Sequence, residues 1–577
     1  MNYANNSALR LKLEAWRARL LILVLMLAFV TLAVRAMYLQ GLRNDFLQQK
    51  GEARYGRVIE LSANRGMVAD RHGEPLAIST PVESIWVSPD DVQISSPQVR
   101  ELAKLLNLSV SEMREKLKSE DRNFVYLKRQ IPPELAAKVM NLKIPGVFQQ
   151  REYRRYYPAG EVMAHLVGFT GVDDVGQEGL ELAYQSLLTG KPGSRRVIKD
   201  RLGHIIEDVG STRLPQQGKD ITLSIDAKLQ YLAYRELKAA VEANKAKGGA
   251  LVALDAVTGE VLALVNQPDF NPNNRGKVTV AQMRNRTLTD TFEPGSTLKP
   301  FAVSLGLETG KYHPDTVIDT ASGHFTINSA TIRDAHPDGN LTVAQVIQKS
   351  SNVGAAKIAL SLQPEQMWNL FNAVGFGTQP KTGFPGEATG KLRPYKTWRP
   401  IEQATMSYGH GIAVSLLQLA RAYTIFTNDG ELLDLTFIKS DVPASARQVL
   451  SPETARTMRQ MMETVVQSGG TAPRAAVPGY RVAGKTGTAH KPDGRGYAAH
   501  RYVSSFVGLA PASNPRLIIA VMIDEPNGTQ YYGGMVAAPV FSAVMGGALR
   551  MLNIPMDAPL QEAADPLSTI PLIKEEG

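Results

Sequence analysis

Between Leu20 and Val34 the chain runs for 15 residues without a charged side chain, ended by Arg35. A membrane-spanning helix needs about 20 residues. Arg35 can snorkel toward an interface, and Ala36-Met37-Tyr38-Leu39 continues the apolar character, so residues 20–39 suffice. A run that is apolar all round, at the very start of a chain, does not suit a buried core helix. A cleaved signal peptide has the same basic-then-apolar pattern, but Val34-Arg35-Ala36 is a poor cleavage site and the helical pattern continues past it. The sequence therefore favours an uncleaved single-pass anchor. Arg10, Lys12, Arg17 and Arg19 against Glu14 put residues 1–19 on the cytoplasmic side and the remaining chain outside it.

The 577 residues exceed one ordinary domain. A first module is expected over 40–220, with hairpin chemistry at Asp70-Arg71-His72-Gly73 and helical periodicity over 97–117 and 133–142. No acid–base constellation or pair of catalytic carboxylates stands out in it. Tyr153-Arg154-Arg155-Tyr156-Tyr157 reads as a packing patch; no nucleic-acid motif accompanies the net charge of +9, which suits an anionic neighbourhood such as a membrane surface. A linker at Leu214–Asp220 precedes a helix opened by Asp226, then a hairpin of Gly249–Leu254 with Glu260–Val265. The rest of 221–555 reads as α+β, helices covering an antiparallel sheet. Residues 556–577 read as a loose tail. There is no cysteine, and the nine histidines show no His-x-x-x-His pair, so neither thiol chemistry nor a zinc site is expected.

Chemistry concentrates at Glu293-Pro294-Gly295-Ser296-Thr297-Leu298-Lys299, the chain's single Ser-x-x-Lys. If Ser296 opens a helix, Lys299 shares its face and can take its proton, beside a helix N-terminus with free N–H groups. Ser350-Ser351-Asn352 joins two helical patterns; its hydroxyl and amide can relay a proton and hold a substrate amide, although serine and asparagine also serve simply as helix caps. Lys-Thr-Gly occurs twice. Lys381-Thr382-Gly383 is flanked by prolines and reads as a loop. Lys485-Thr486-Gly487-Thr488 follows Tyr480–Gly484, a plausible edge of a strand. There Lys485 supplies charge for a carboxylate, Thr486 and Thr488 supply hydroxyls, and Gly487 admits a ligand backbone. Tyr531 and Tyr532, before Gly533-Gly534, read as an aromatic wall or as core packing.

Ser-x-x-Lys, Ser-x-Asn and Lys-Thr-Gly appear in that order, at separations of 54 and 135 residues. This set marks penicillin-binding proteins and class A β-lactamases. The chain resembles the class B, high-molecular-mass penicillin-binding proteins, and among them the septal transpeptidases of Gram-negative cell division. The resemblance extends to Arg65-Gly66, Asp70-Arg71-x-Gly73, Gly176–Glu181, Gly383–Glu387, Gln403–Gly409 and Tyr531–Gly534. It implies an anchor, a pedestal and a C-terminal transpeptidase domain. It further implies Ser296 as nucleophile, Lys299 as base, Ser350 and Asn352 as proton relay and substrate clamp, and backbone N–H groups of Ser296 and Thr488 as oxyanion hole. Lys485, Thr486 and Thr488 would hold a carboxylate, with Tyr408 beside the site. The implied ligands are stem peptides ending in D-Ala–D-Ala and β-lactam antibiotics. The implied partners are a septal glycan polymerase of the SEDS family and division proteins at the inner membrane, with no metal or organic cofactor. Two departures stand out: Ser351 replaces the aspartate of class A β-lactamases, and His410 stands where relatives often carry tyrosine. A side-wall transpeptidase, a β-lactam-acylated sensor or hydrolase, and a non-enzymatic scaffold are the competing readings.

Overall fold

The computed structural model describes residues 14–42, 56–87, 96–117, 124–199, 205–442, 444–494 and 496–559. The expected cytoplasmic tail before residue 14 and the loose tail after 559 lie outside the described residues. Helix α1 (Ala15–Met37) continues as a wider turn to Leu42, and none of its side chains is buried. Its 23 residues span about 34 Å, enough for a bilayer core.

The chain, α1 included, divides into two compact units that interleave along the sequence. One gathers 1–63, 81–152 and 191–216; the other gathers 64–80, 153–190 and 217–577. In the first, helices Ser96–Leu106, Val110–Leu117 and Pro133–Met140 cover strand Val125–Ile131 around Ile85, Leu102, Met113 and Val139. The predicted helix over 97–117 is thus broken, at Asn107, which adopts a left-handed φ of 51°. A further three-stranded sheet orders Gly56–Leu61, Gly193–Lys199 and Ile205–Arg213.

In the second unit, the early segments singled out by sequence meet one another. Glu181 takes Arg65 and Arg155, both at 2.6 Å and all three buried. Arg155 and the buried Tyr157, whose hydroxyl accepts from the Thr170 N–H, make the Tyr153–Tyr157 stretch a packing element. Asp70 closes its turn by accepting from His72 and Glu74 N–H, both at 2.8 Å.

Helix α2 (Ala227–Ala243) is capped by Asp226, which accepts from Lys228 and Leu229 N–H. Strands β1 (Gly248–Asp255) and β2 (Val261–Gln267) follow as an antiparallel hairpin. With β3 (Ala483–Asp493), β4 (Gly496–Ala510) and β5 (Leu517–Asp524) they form one sheet in the order β2-β1-β5-β4-β3. Both faces of β1, β2 and β5 are buried, hence their near-continuous apolar sequences. Helices α2, Leu416–Ala422 and Ala538–Met551 pack on them. Among the described residues strand β3 pairs only with β4, and the turn that bears Ser296 packs against it.

Candidate active site

Ser296 sits in a 3-10 turn, Gly295–Leu298, and the α-helix proper, α3 (Lys299–Glu308), begins at the lysine. The sequence places the serine itself at the helix start; the tighter turn stacks residues i and i+3 almost directly, which serves the pair better. Lys299 Nζ lies 2.8 Å from Ser296 Oγ. The turn is pinned from beneath by Tyr423, buried, whose hydroxyl donates to the Thr297 carbonyl at 2.8 Å. Phe301 and Phe426 pack edge-on against that tyrosine, and Phe376 packs edge-on against Phe301.

Helix α4 (Val343–Lys349) ends at Ser350, which adopts φ 61°, ψ 39°, a left-handed conformation unusual for serine. Helix α5 (Asn352–Leu360) starts two residues later, capped by Ser351 Oγ on Gly354 N–H. Ser351 does the capping, so Ser350 and Asn352 turn inward. Lys299 Nζ is 3.0 Å from Ser350 Oγ and 2.8 Å from Asn352 Oδ1, and it also reaches the Ser350 carbonyl. Asn352 Nδ2 donates to the Arg333 carbonyl, which fixes Oδ1 toward the lysine.

Two neighbours of Lys299 are therefore obligate acceptors, the Ser350 carbonyl and Asn352 Oδ1. A neutral amine has two N–H groups for them and one lone pair left for the Ser296 hydroxyl. The electrostatics agree with the neutral form. Lys299 is fully buried, and burial first, the nearby Lys485 second, pull its pKa well below the usual lysine range. Burial likewise brings Lys485 down to about 7. Lys485 Nζ sits 2.9 Å from Ser350 Oγ, so that hydroxyl bridges the two amines.

Strand β3 carries Lys485, Thr486, Gly487 and Thr488 on the open edge of the sheet, where an extended peptide can add as a further strand. Thr486 Oγ1 is 2.9 Å from Thr471 Oγ1, and Thr488 Oγ1 accepts from the Gly533 N–H. Each keeps one hydroxyl function for a ligand. A Cβ on Gly487 would stand 2.4 Å from Ser505 Oγ, 2.7 Å from the Pro294 carbonyl and 3.0 Å from Thr297. The glycine thus lets the serine turn approach the strand, not a ligand as the sequence suggests. A Cβ on Gly295 (φ 58°) would be 3.4 Å from Thr488 N, which brings the turn and strand backbones together beside Ser296.

Tyr408 is buried against Ile332, Val353 and Ala404, with its ring 6.0 Å from Lys299 Nζ; it backs the lysine. His410 packs edge-on to Tyr408, and burial, with Lys299 and His490 near, lowers it to about 4, so it is neutral. Tyr531 and Tyr532 are not core: Tyr532 is exposed, and the stack Tyr502–Tyr531–Tyr532 stands at the end of the strand edge, with ring spacings of 4.2 and 4.4 Å. The other Lys-Thr-Gly forms a closed loop. Glu387 accepts from Lys381 N–H, Thr382 N–H and the Thr382 hydroxyl, and takes no part in the cleft.

Asp334 is the residue that sequence reasoning missed. Its Oδ1 accepts from the Asn352 and Val353 N–H groups and its Oδ2 from the Ser351 hydroxyl at 2.7 Å. It sits just past the hairpin His324–Arg333 and holds the whole Ser350–Asn352 corner.

This geometry coincides with a known family. The model of the penicillin binding protein transpeptidase domain matches residues 249–546, and that of the penicillin-binding protein dimerisation domain matches 60–223. The chain belongs to the penicillin-binding protein transpeptidase family. It is 43% identical over 552 residues to the probable peptidoglycan D,D-transpeptidase PenA of Neisseria gonorrhoeae, covering 95% of each chain. It is also 43% identical to the peptidoglycan D,D-transpeptidase FtsI of Escherichia coli K12, covering 94% of this chain and 93% of that one. Among solved structures, the apo TP domain of Burkholderia pseudomallei penicillin-binding protein 3 is 53% identical with a TM-score of 0.55, covering 58% of this chain and 98% of that domain. Within this family the Ser-x-x-Lys, Ser-x-Asn and Lys-Thr-Gly segments meet in this chain at one buried pair of amines.

Proposed function

We propose that this protein is a serine peptidoglycan D,D-transpeptidase of the division septum, acylated on Ser296. One observation carries the reading: the buried Lys299 amine lies between the Ser296 and Ser350 hydroxyls, with its proton affinity depressed. Ser296 Oγ attacks the carbonyl of the penultimate D-alanine while its proton passes to the lone pair of Lys299. The negative oxygen of the tetrahedral intermediate is met by the backbone N–H groups of Ser296 and Thr488, each worth about 3 kcal/mol of barrier in comparable enzymes. Ser350, between Lys299 and Lys485, gives its proton to the departing D-alanine nitrogen and is reprotonated from the Lys299 side. An incoming side-chain amine then attacks the ester, the Ser296–acyl bond breaks, and the proton returns by the same relay.

Lys485, Thr486 and Thr488 hold the terminal carboxylate of the stem peptide, or that of a β-lactam. Carboxylate binding also favours the charged form of Lys485, which in turn keeps Lys299 neutral. Asn352 holds the peptide amide, and Tyr408, Tyr531 and Tyr532 flank it. The likeness to FtsI supports septal action. The basic residues before α1 support an N-terminus in the cytoplasm, with both folded units on the outer side of the inner membrane. There the anchor helix and pedestal meet a SEDS-family glycan polymerase and division proteins.

The test is a time course with fluorescent penicillin on the full chain in detergent, beside Ser296→Ala. A stable adduct is expected on the wild type alone, mapped to Ser296. Labelling that persists at another residue in the variant overturns the assignment, and an adduct lost within minutes points to a hydrolase or sensor.

A further inference from the structure

Three residues before Ser296 stands a carboxylate that none of these steps uses. Glu293 Oε1 accepts from the Gly411 N–H at 2.9 Å and from the Tyr497 hydroxyl at 3.2 Å. Its Oε2 is buried and has no hydrogen-bond partner among the described residues. A buried oxygen without a donor is unfavourable, so packing alone does not account for a carboxylate here.

The two donors come from segments far apart in sequence. Gly411 follows Tyr408–His410, and this segment is fastened to the serine turn. Phe292 and Val414 exchange two backbone hydrogen bonds of 3.0 Å, and a Cβ on Gly409 would stand 2.2 Å from the Gly295 carbonyl. Tyr497 comes from the far end of the β3–β4 hairpin, where it pairs with Pro492. The register slips between His490 and Pro492, a bulge that bends the hairpin tip relative to the strand edge. The Tyr497 ring lies 5.6 Å from that of His410. One carboxyl group thus ties the turn bearing Ser296 both to the wall behind Lys299 and to β4, the strand paired with the one bearing Lys485 and Thr488.

We propose that Glu293 is a positioning residue for acylation: through Gly411 and Tyr497 it sets the separation between the backbone N–H groups of Ser296 and Thr488. The inference rests on the transpeptidase reading, in which those groups receive the oxyanion. Glu293 touches no reacting atom. It acts on the spacing of two groups whose usefulness depends on sub-ångström placement.

The test compares Glu293→Ala, Glu293→Gln and Tyr497→Phe with the wild type and Ser296→Ala, as full chains in detergent. Penicillin acylation is resolved into the dissociation constant of the reversible complex and the first-order acylation constant. Glu293→Ala lowers the acylation constant about tenfold to a hundredfold and leaves the dissociation constant within about twofold. Glu293→Gln recovers most of the loss, because its amide oxygen still accepts from the Gly411 N–H. Tyr497→Phe, at an exposed ring that cannot unfold the chain, shows a smaller loss in the same constant. Wild-type acylation by Glu293→Ala, a loss confined to the dissociation constant, or no recovery with Gln would each overturn the proposal. If the wild type itself acquires no label at Ser296, the transpeptidase reading fails and takes this inference with it.

Discussion

Replacing Lys485 with methionine should raise the stability of this protein while removing its activity. Lys485 is fully buried, and burial brings its pKa from 10.5 to about 7. Between these values the unfolded chain binds a proton that the folded chain does not. Stability therefore rises with pH across that window, and below about pH 7 the cost of burial is felt in full. Its size is about 5 kcal/mol, from 1.36 kcal/mol per pH unit between the two pKa values. The lysine recovers about 1–2 kcal/mol through its bonds to Ser350 Oγ and the Thr486 oxygens. Methionine fills nearly the same volume, so Lys485→Met should gain about 3–4 kcal/mol at pH 6. That corresponds to roughly 4 °C or more in unfolding temperature. The assay is thermal unfolding of both chains at pH 6, 7.5 and 9, with penicillin labelling alongside. The advantage of the variant should shrink as pH rises, and labelling should be lost. A variant that unfolds earlier than the wild type at pH 6, or a difference that does not change with pH, would refute the reasoning.

Gly487→Ala places a methyl against Ser505 Oγ, the Pro294 carbonyl and Thr297. It should slow acylation by about a hundredfold by pushing the serine turn from the strand, with an overpacking cost of about 1–3 kcal/mol in unfolding. Asp334→Ala deprives two N–H groups and the Ser351 hydroxyl of their acceptor. It should cost about 1–2 kcal/mol of stability, as for a lost helix cap, and slow labelling, both measurable on one preparation. Lys381→Ala, on the exposed side of the closed Glu387 loop, should label like the wild type; slower labelling would mean that the first Lys-Thr-Gly has a role.

The sheet and its covering helices were legible because their strands are long apolar runs and their hairpin and cap residues follow local rules. Asp226 and the Gly248–Gln267 hairpin stand where the pattern puts them. The interleaving of the two units was not legible. It is made by long-range backbone pairing, Gly66 N–H to the Leu188 carbonyl and Val68–Ala69 beside Ile221–Thr222, and no composition change marks those segments. Proline flanks separated the two Lys-Thr-Gly copies correctly in kind: one is a loop and the other an edge strand. Gly487 was misread in direction. A glycine on a strand signals a close approach, but only the fold says from which side.

The Ser350–Asn352 corner shows why the rest of the site was hidden. Read alone, Ser-Ser-Asn between two helices offers three equivalent capping candidates, and capping is the commoner use of each. The structure divides the labour by backbone conformation. Ser350 takes a left-handed φ, which ends α4 and turns its hydroxyl to the two lysines, at a steric cost that serine pays and glycine would not. Glycine, though, has no hydroxyl to relay a proton. Something must hold that strained corner, and the holder is Asp334, which satisfies the first N–H groups of α5 and engages the capping serine. With its helix end already satisfied from outside, the corner is free to present Ser350 and Asn352 to the buried amine. Asp334 lies 17 residues from Ser351, just past a surface hairpin, one of many aspartates, and only the placing of that hairpin beside α5 gives it a role.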